Sequence, residues 1–220
     1  MTEAGDLTLI GFHDSVYTWA VRWALAETGL PARSEEVDPF TPDGAAALRG
    51  VHPFGLVPVL RHGDFTLYET PAILRYLDRL QAGADLTPAA PRAGARMAQV
   101  MSVVTTQVYW PLVRQVFSNG YYLPRAGQDA DRAALEAGLS RAPLVLDALE
   151  QVAGEGLVLT GQGLTLADLM LAPMLAYFNA VPDAARLTGQ RTALSAWLDR
   201  IAARPGFIAT MPPCLAEGGA

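Results

Sequence analysis

Apolar and polar residues alternate in a compact pattern between positions 51 and 77, and the rest of the chain can be interpreted from it. The run 56–60 is apolar and rich in strand-forming residues, although Pro58 inside it lacks the amide hydrogen that a sheet ladder needs. A short polar turn over 61–64 follows, and apolar and polar positions then alternate again over 65–67. This pattern predicts an antiparallel hairpin whose first strand starts at or runs through Pro58.

A helix is predicted directly after the hairpin. Thr70 offers a hydroxyl for the N-cap, and Pro71 suits the first helical position, where its missing amide hydrogen costs nothing. The apolar residues Ile73, Leu74 and Leu77 then recur at helical spacing. The spacing therefore predicts a helix with one apolar face.

The residues before position 50 indicate a strand, a helix, a strand and a short helix. The first strand covers 7–10, and a helix starts at Ser15 and ends at Gly29, which suits a left-handed cap. A weaker strand over 33–37 and a short helix over 45–49 follow. With the hairpin and the helix from Thr70, the order is βαβ, α, ββα, with a right-handed first crossover. That order predicts a thioredoxin-like fold.

Helical spacing dominates the second half of the chain. Glycine, alanine and proline without periodicity over 81–91 indicate a linker between a domain over 1–80 and an all-helical bundle domain over 92–220. The predicted helices of that domain cover 92–117, 129–152, 165–179 and 192–203. Pro111 and Pro173 fall inside two of them and are expected to kink or end each helix locally. Thr165 and Asp168 have the spacing of a capping box, for which we expect a structural role.

Composition narrows the function classes. The 220 residues are 51% hydrophobic and 17% charged, with no apolar run long enough to cross a bilayer and no visible signal peptide in the polar first six residues, so a cytoplasmic protein is expected. A net charge of −6 argues against nucleic acid as a partner. Cys214 is the one cysteine, which excludes intramolecular disulfides, and all 16 basic residues are arginine.

The motif around Pro58 resembles that of a known family. Val57-Pro58 before a hairpin, with Glu69-Thr70 opening a helix, is similar to the glutathione-binding half of the cytosolic glutathione S-transferases, in their serine-type, bacterial-like form. The resemblance extends over roughly residues 7–212. It implies a cis Val57–Pro58 bond, a Val57 backbone that pairs with the cysteinyl part of glutathione, and a Glu69–Thr70 pair that holds the γ-glutamyl end.

The chemistry of Glu69 and Thr70 fits those roles independently of the resemblance. The N-terminus of a helix offers unpaired amide hydrogens and a partial positive charge, so Thr70 suits a carboxylate. Glu69 suits an ammonium group, and an α-amino acid headgroup carries both charges. The alternative is that Thr70 is only an N-cap and Glu69 only an acidic residue of the first turn.

Val21-Arg22 and the sequence over 24–30 match the family's first helix. Counting back from Arg22, the resemblance places the catalytic position on Ser15. A free thiol has a pKa of about 8.5, and lowering it by about 2 units requires about 2.7 kcal/mol. A hydroxyl donor supplies roughly 1.5–3 kcal/mol and a helix N-terminus about 0.3–1 kcal/mol. Ser15 can offer both. The alternative is a plain N-cap. His13 and Asp14 beside it are candidates for tuning the site.

The second substrate is expected to be a small apolar electrophile. Candidates to line its pocket are Phe12 and Tyr17 from the first domain and Tyr109 and Trp110 from the second, with Phe117, Tyr121 and Tyr122 as further aromatic residues that can equally belong to the core. The resemblance implies glutathione as co-substrate, no metal and a homodimer.

Two positions depart from the family's pattern. Leu56 stands where many members have the Lys or Gln that binds the glycyl end of glutathione, and His52 replaces a common asparagine. His52, Arg49 or an arginine of a partner subunit are candidates to supply the missing donor. Two functions therefore remain open, a glutathione-dependent transferase, with dehalogenation, isomerisation or ether cleavage as variants, and a non-catalytic binding or regulatory protein of the same fold.

Overall fold

The computed structural model describes residues 6–81, 83 and 85–216. The first six residues, which suggested the absence of a signal peptide, fall outside this range except for Asp6, as do two residues of the predicted linker. The chain forms two compact units. The first extends to Leu86 and includes the segment from Gly206 onward, and the second covers Thr87–Pro205.

The first unit contains a four-stranded mixed sheet. Its strands are β1 (Leu7–Gly11), β2 (Ala32–Glu36), β3 (Val59–His62) and β4 (Phe65–Tyr68). The spatial order is β2-β1-β3-β4, with β2 parallel to β1 and the other two pairs antiparallel. Gly63 adopts a φ of +59° in the two-residue loop of the hairpin, a backbone conformation that favours glycine. The predicted thioredoxin-like order is confirmed.

The helices follow the predicted order but differ from the prediction in number and bounds. They are α1 (Val16–Thr28), α2 (Pro42–Arg49), α3 (Thr70–Leu80), α4 (Pro91–Val103), a π-helix (Val104–Tyr122), α5 (Leu123–Arg125), α6 (Arg132–Gly154), α7 (Leu166–Asn179), α8 (Pro182–Gly189), α9 (Thr192–Ala202), α10 (Pro205–Ala209) and α11 (Pro213–Ala216). Gly29 ends α1 at a φ of +67°, as predicted. The predicted apolar face of α3, formed by Ile73, Leu74 and Leu77, is fully buried.

The two prolines do not end their helices, and the expected local kinks stay a prediction. Pro173 does not end its helix, since α7 continues to Asn179 and is buried on nearly every side. Pro111 lies inside the π-helix, which continues to Tyr122. A proline costs an interior helix about 3 kcal/mol, but burial against neighbouring helices supplies most of the stability of a helix in a folded domain. That packing outweighs the local cost at both positions.

The start of α3 also differs from the prediction. Glu69, and not Thr70, is the N-cap residue, and Thr70 is the first helical residue. Proline is favoured across the first turn, so Pro71 is compatible with either register. The sequence alone could not separate the two registers, because the deciding feature is the positive φ of 69° at Glu69.

The C-terminal segment packs against α1 within the first unit. The Phe207 ring lies 4.6 Å from the ring of Trp19 and 4.9 Å from that of Trp23, between centroids. The Trp19 indole N–H donates to Thr210 Oγ1 over 3.1 Å. The division at 81–91 stays a prediction, but residues 206–216, which it assigned to the helical domain, group with the first unit, where Phe207 is buried against α1.

The second unit contains a buried hydrogen-bond network around Asp168 at the start of α7. Asp168 Oδ2 accepts from both the amide and the hydroxyl of Thr165, at 2.7 and 2.6 Å, and Oδ1 accepts from the Trp197 indole at 2.6 Å. Burial raises the pKa of the Asp168 carboxyl, and the three donors oppose that rise. The predicted capping box is confirmed.

Two further features concern the described ranges only. Among the helices within 6–81, 83 and 85–216, none combines the length and apolar character of a membrane span. Over the same ranges, His, Cys, Asp and Glu side chains do not form a group of three or more that could hold a metal ion.

Candidate functional site

Ser15 occupies the turn between β1 and α1. Its backbone is extended, with φ −84° and ψ 121°, and its amide donates to the Phe12 carbonyl over 3.0 Å. Ser15 Oγ accepts a hydrogen bond of 3.2 Å from the Thr18 amide, so the serine is the N-cap of α1. An N-cap uses only the acceptor side of a hydroxyl, and the O–H remains able to donate. The N-cap and the predicted catalytic role are therefore compatible.

His13 and Asp14, the two residues before Ser15, contact each other and groups from other elements. Glu36 Oε1, at the end of β2, accepts from the His13 amide at 2.8 Å and lies 2.7 Å from His13 Nδ1. The Asp14 carboxylate lies 3.4 Å from His13 Nε2 and accepts from the Cys214 amide at 3.2 Å. His13 and Asp14 thus hold the loop in place, and neither contact was visible in the sequence.

The Val57–Pro58 peptide bond is cis, as the resemblance implied. Pro58 is buried, and Val57 packs against a small core formed by Ile10, Leu48 and Val59. The sheet register begins at Val59, so Val57 has no ladder partner among the described strands. Its main-chain groups are consequently placed to pair with an extended peptide.

Glu69 and Thr70 lie together at the N-terminus of α3. Glu69 has φ 69° and ψ 110°, a conformation that costs a residue with a side chain about 1–3 kcal/mol, and its side chain is exposed. Thr70 is buried. Non-glycine residues in such conformations cluster at ligand sites. An exposed carboxylate beside the first amides of a helix provides recognition groups for both an ammonium and a carboxylate.

His52 is buried under this site. Its Nδ1 accepts from the Phe54 amide at 3.1 Å, and its ring lies 4.6 Å from that of Tyr68. Burial lowers the pKa of His52, while the negative charge of Glu69 opposes the change. The residue is therefore a neutral structural histidine with its proton on Nε2, and it cannot act as a cationic donor at neutral pH.

The loop before Val57 is apolar at its surface. Leu56 is 56% exposed and Phe54 is 68% exposed. Gly55 has a φ of +64°, and a Cβ added there would lie 3.4 Å from Arg49 Cγ. The stem of Arg49 therefore runs along Gly55, while its guanidinium forms no ion pair with any residue in the part of the chain that the structure describes.

The aromatic candidates of the first unit differ in exposure. Phe12 is 7% exposed, and its ring makes an edge contact with the exposed Phe40 at 5.8 Å. Tyr17 is half-buried on the first turn of α1. Phe12 belongs to the loop that carries Ser15, so it is the candidate with the clearest connection to the predicted catalytic position.

The aromatic candidates of the second unit lie on the π-helix. Trp110 is 62% exposed, and Tyr109 is half-buried, with its pKa raised by burial despite a hydrogen bond with Arg114. Phe117 is buried against Tyr177, with ring centroids 4.2 Å apart, and also contacts the rings of Tyr121 and Tyr122. Phe117 is therefore a core residue, as the sequence allowed.

A separate open cavity of about 490 Å³ lies in the second unit. It is lined by Arg92, Ala95, Arg96, Gln99, Glu155 and Leu157. Arg96 crosses it in a two-point ion pair with Glu155, at 2.5 and 2.7 Å. None of the predicted site residues lines this cavity.

Comparison with known proteins gives a consistent result over both halves of the chain. Family models of the glutathione S-transferase N-terminal and C-terminal domains match residues 14–80 and 132–200. Glutathione S-transferase 3 of Zea mays is 32% identical over 212 residues, which cover 93% of each chain. Glutathione S-transferase F13 of Arabidopsis thaliana is 30% identical over 164 residues, or 74% of each chain.

Solved structures agree with these relatives. The structure of glutathione S-transferase III in its apo form superposes with a TM-score of 0.80 and 28% identity, covering 95% of this chain and 98% of that one. A theta class glutathione S-transferase from Xanthomonas axonopodis pv. citri, with glutathione bound, has a TM-score of 0.78 and 25% identity over the same shares.

Proposed function

The chain belongs to the glutathione S-transferase family, and we propose that it uses Ser15 to activate the thiol of glutathione for attack on a small apolar electrophile. The observation that carries this proposal is the position of Ser15 as the N-cap of α1, with its O–H available to donate. The thiol loses its proton to solvent, the thiolate forms a bond to an electrophilic carbon, and in a substitution the leaving group departs with its electron pair.

The proposed glutathione site runs from α3 to the Val57 backbone. The Glu69 carboxylate binds the γ-glutamyl ammonium, and the first turn of α3 at Thr70 binds the γ-glutamyl carboxylate. The main chain of Val57, which has no ladder partner, pairs with the cysteinyl residue. Pro58 follows Val57 in the cis form and is buried.

The energy required of Ser15 is modest. Keeping the bound thiol ionised at neutral pH takes about 2–3 kcal/mol, or about 2 pKa units. A hydroxyl donor to a charged sulfur contributes about 1.5–3 kcal/mol, and the α1 N-terminus adds about 0.3–1 kcal/mol. One serine at a helix N-terminus is therefore sufficient, without a metal.

For the glycyl end of glutathione we infer a contact with Arg49. An extended tripeptide whose γ-glutamyl end meets α3 and whose cysteinyl residue meets Val57 directs its glycyl end toward Gly55 and Leu56. The Leu56 side chain offers no donor, and the His52 side chain is buried. The stem of Arg49 lies along Gly55, and its guanidinium forms no ion pair within the described first unit. Arg49 is therefore the candidate that remains.

We propose that Phe12 and Tyr17 of the first unit contribute to the acceptor site, and Tyr109 and Trp110 of the second unit stay candidates from the sequence. Apolar walls favour a hydrophobic electrophile. Dehalogenation, isomerisation and ether cleavage use the same thiolate and are variants of this proposal.

Finer assignments remain proposals. The serine-type assignment rests on Ser15, and the bacterial-like origin stays a prediction, since the relatives from Zea mays and Arabidopsis thaliana are plant proteins. We also propose a homodimer, which the family resemblance implies and which light scattering tests directly. A cytoplasmic location stays a prediction from the sequence.

A non-catalytic binding protein is the second candidate, and Leu56 is the observation that favours it. Calorimetry with glutathione on wild type and Glu69→Ala, followed by turnover of 1-chloro-2,4-dinitrobenzene, separates the two. Glutathione binding that depends on Glu69, with measurable turnover, supports the transferase. Binding without turnover supports the second candidate, and no binding at millimolar glutathione contradicts both glutathione-based functions.

A further inference from the structure

We propose that Glu36 is a positioning residue for Ser15 and acts through His13. This inference rests on the proposed catalytic role of Ser15. It starts from one carboxylate oxygen that contacts two groups of the same residue, two positions before the serine. Glu36 Oε1 accepts from the His13 main-chain amide at 2.8 Å and from His13 Nδ1 at 2.7 Å.

This double contact fixes both the backbone and the ring of His13. A carboxylate only accepts hydrogen bonds, so Nδ1 carries a proton and Nε2 is directed toward the Asp14 carboxylate, 3.4 Å away. The main-chain bond ties the loop after β1 to the end of β2, where Glu36 is the register partner of Gly11. The position of the loop is consequently set by the neighbouring strand.

The rest of the loop is held by other elements. Arg22 Nη2, one and a half turns into α1, donates to the His13 carbonyl at 2.9 Å. The Cys214 amide of α11 donates to Asp14 at 3.2 Å, and the Ser15 amide donates to the Phe12 carbonyl. The Val37 amide, directly after β2, also donates to the Gly11 carbonyl over 2.8 Å, and Glu36 adds the contact between β2 and the loop beyond Gly11.

A role in stability alone does not account for this arrangement. The side chains of His13 and Glu36 are 46% and 57% exposed, and exposed ion pairs contribute little to folding. Two carboxylates close to the place where a thiolate forms also oppose its negative charge. These carboxylates are explained if they raise the rate more by positioning Ser15 than they lower it by repelling the thiolate. A displacement of about 1 Å at a catalytic group can cost about 100-fold in rate.

Loss of the Glu36 charge and loss of the Ser15 geometry shift the thiol pKa of bound glutathione in opposite directions. Removing a negative charge lowers the thiol pKa of bound glutathione, whereas releasing Ser15 raises it. We expect Glu36→Ala to raise that pKa by about one unit, a tenfold change in the ionisation equilibrium, and to lower kcat about 10–100-fold, with little change in glutathione affinity or melting temperature. Glu36→Gln keeps an acceptor for the His13 amide, so it is expected to restore most of both losses.

Glu35→Ala is the matched control. Glu35 precedes Glu36 on β2, is 50% exposed and lies 3.7 Å from Arg61, so it tests the loss of a β2 carboxylate without touching the loop. The thiolate absorbance of the glutathione complex is titrated against pH in all four proteins. A Glu36→Ala protein that matches Glu35→Ala, or whose thiol pKa falls, overturns the inference alone. A wild type that forms no thiolate with bound glutathione overturns the proposed function and this inference with it.

Discussion

Ser15 Oγ accepts the Thr18 amide over 3.2 Å, which makes one hydroxyl both the cap of α1 and a free hydrogen-bond donor. The amide polarises the oxygen, and the hydroxyl proton is left for another acceptor. The cap also fixes the oxygen at the positive end of a 13-residue helix, where an anion is stabilised. The local structure of this turn is therefore compatible with the proposed thiolate site at Ser15.

Glu69 combines a proposed ligand contact with an unfavourable backbone conformation, and two substitutions separate these properties. Glu69→Ala and Glu69→Gly both remove the carboxylate, so each is expected to weaken glutathione binding about 10- to 100-fold. Only glycine adopts a φ of 69° without strain, so Glu69→Gly should be more stable than Glu69→Ala by about 1 kcal/mol. Calorimetry and urea unfolding measure the two effects. Equal stability of the two variants contradicts the strain, and unchanged affinity contradicts the binding role.

Arg49 is expected to determine how strongly the protein prefers glutathione to γ-glutamylcysteine, which lacks the glycyl residue. Loss of one charge-assisted contact costs about 1.5–3 kcal/mol, so the wild type should bind glutathione about 10- to 100-fold more tightly than the shorter thiol. Arg49→Ala should bring the two dissociation constants close together. The exposed Arg75 on α3 gives the control variant Arg75→Ala, which should keep the preference. A preference that survives in Arg49→Ala rules out this contact.

The buried His52 predicts an acid sensitivity. Burial lowers its pKa in the folded state below the ordinary value of 6.5, so on acidification the unfolded chain binds the proton first. Stability from this residue is therefore present above pH 6.5 and is lost as the pH falls from 6.5 toward the folded pKa. His52→Asn should flatten the slope of unfolding free energy against pH between about 7 and 5, by at most about 1.4 kcal/mol per pH unit. Identical slopes in both proteins would show that His52 does not titrate in this way.

Asp168 is expected to matter for folding and not for glutathione. Asp168→Ala leaves the Thr165 amide and the Trp197 indole buried without an acceptor, which should lower the free energy of unfolding by about 3–5 kcal/mol. Trp197→Phe removes one donor and should cost less than Asp168→Ala. Denaturant unfolding monitored by circular dichroism measures both. The idea fails if Trp197→Phe is as damaging as Asp168→Ala, or if either variant alters glutathione affinity in the folded protein.

Features that depend on local spacing could be predicted from the sequence. The apolar positions of α3, the glycine cap of α1 and the Thr165–Asp168 box all arise from residues within one or two helical turns of each other. The hairpin belongs to the same group, because its loop has only two residues. Local interactions leave a direct trace in the order of residue types, and these predictions were confirmed.

Features that depend on distant residues could not be predicted. The contact between His13 and Glu36 joins residues 23 positions apart, and Phe207 meets Trp19 across most of the chain. That α7 continues past Pro173 was not visible in the sequence, because the packing that tolerates the proline is formed by other helices. The N-cap of α3 was misplaced by one residue because the deciding backbone angle at Glu69 has no counterpart in residue type.

The proposed role of Ser15 is best tested by the ionisation of bound glutathione in wild type and Ser15→Ala. The thiolate absorbance of each binary complex is titrated against pH at saturating glutathione, and the dissociation constant is measured alongside. We expect the wild type to lower the thiol pKa by about 2 units, and Ser15→Ala to lose most of this shift and its turnover while glutathione affinity changes little. A Ser15→Ala protein that still ionises the thiol and turns over would rule out this role for Ser15.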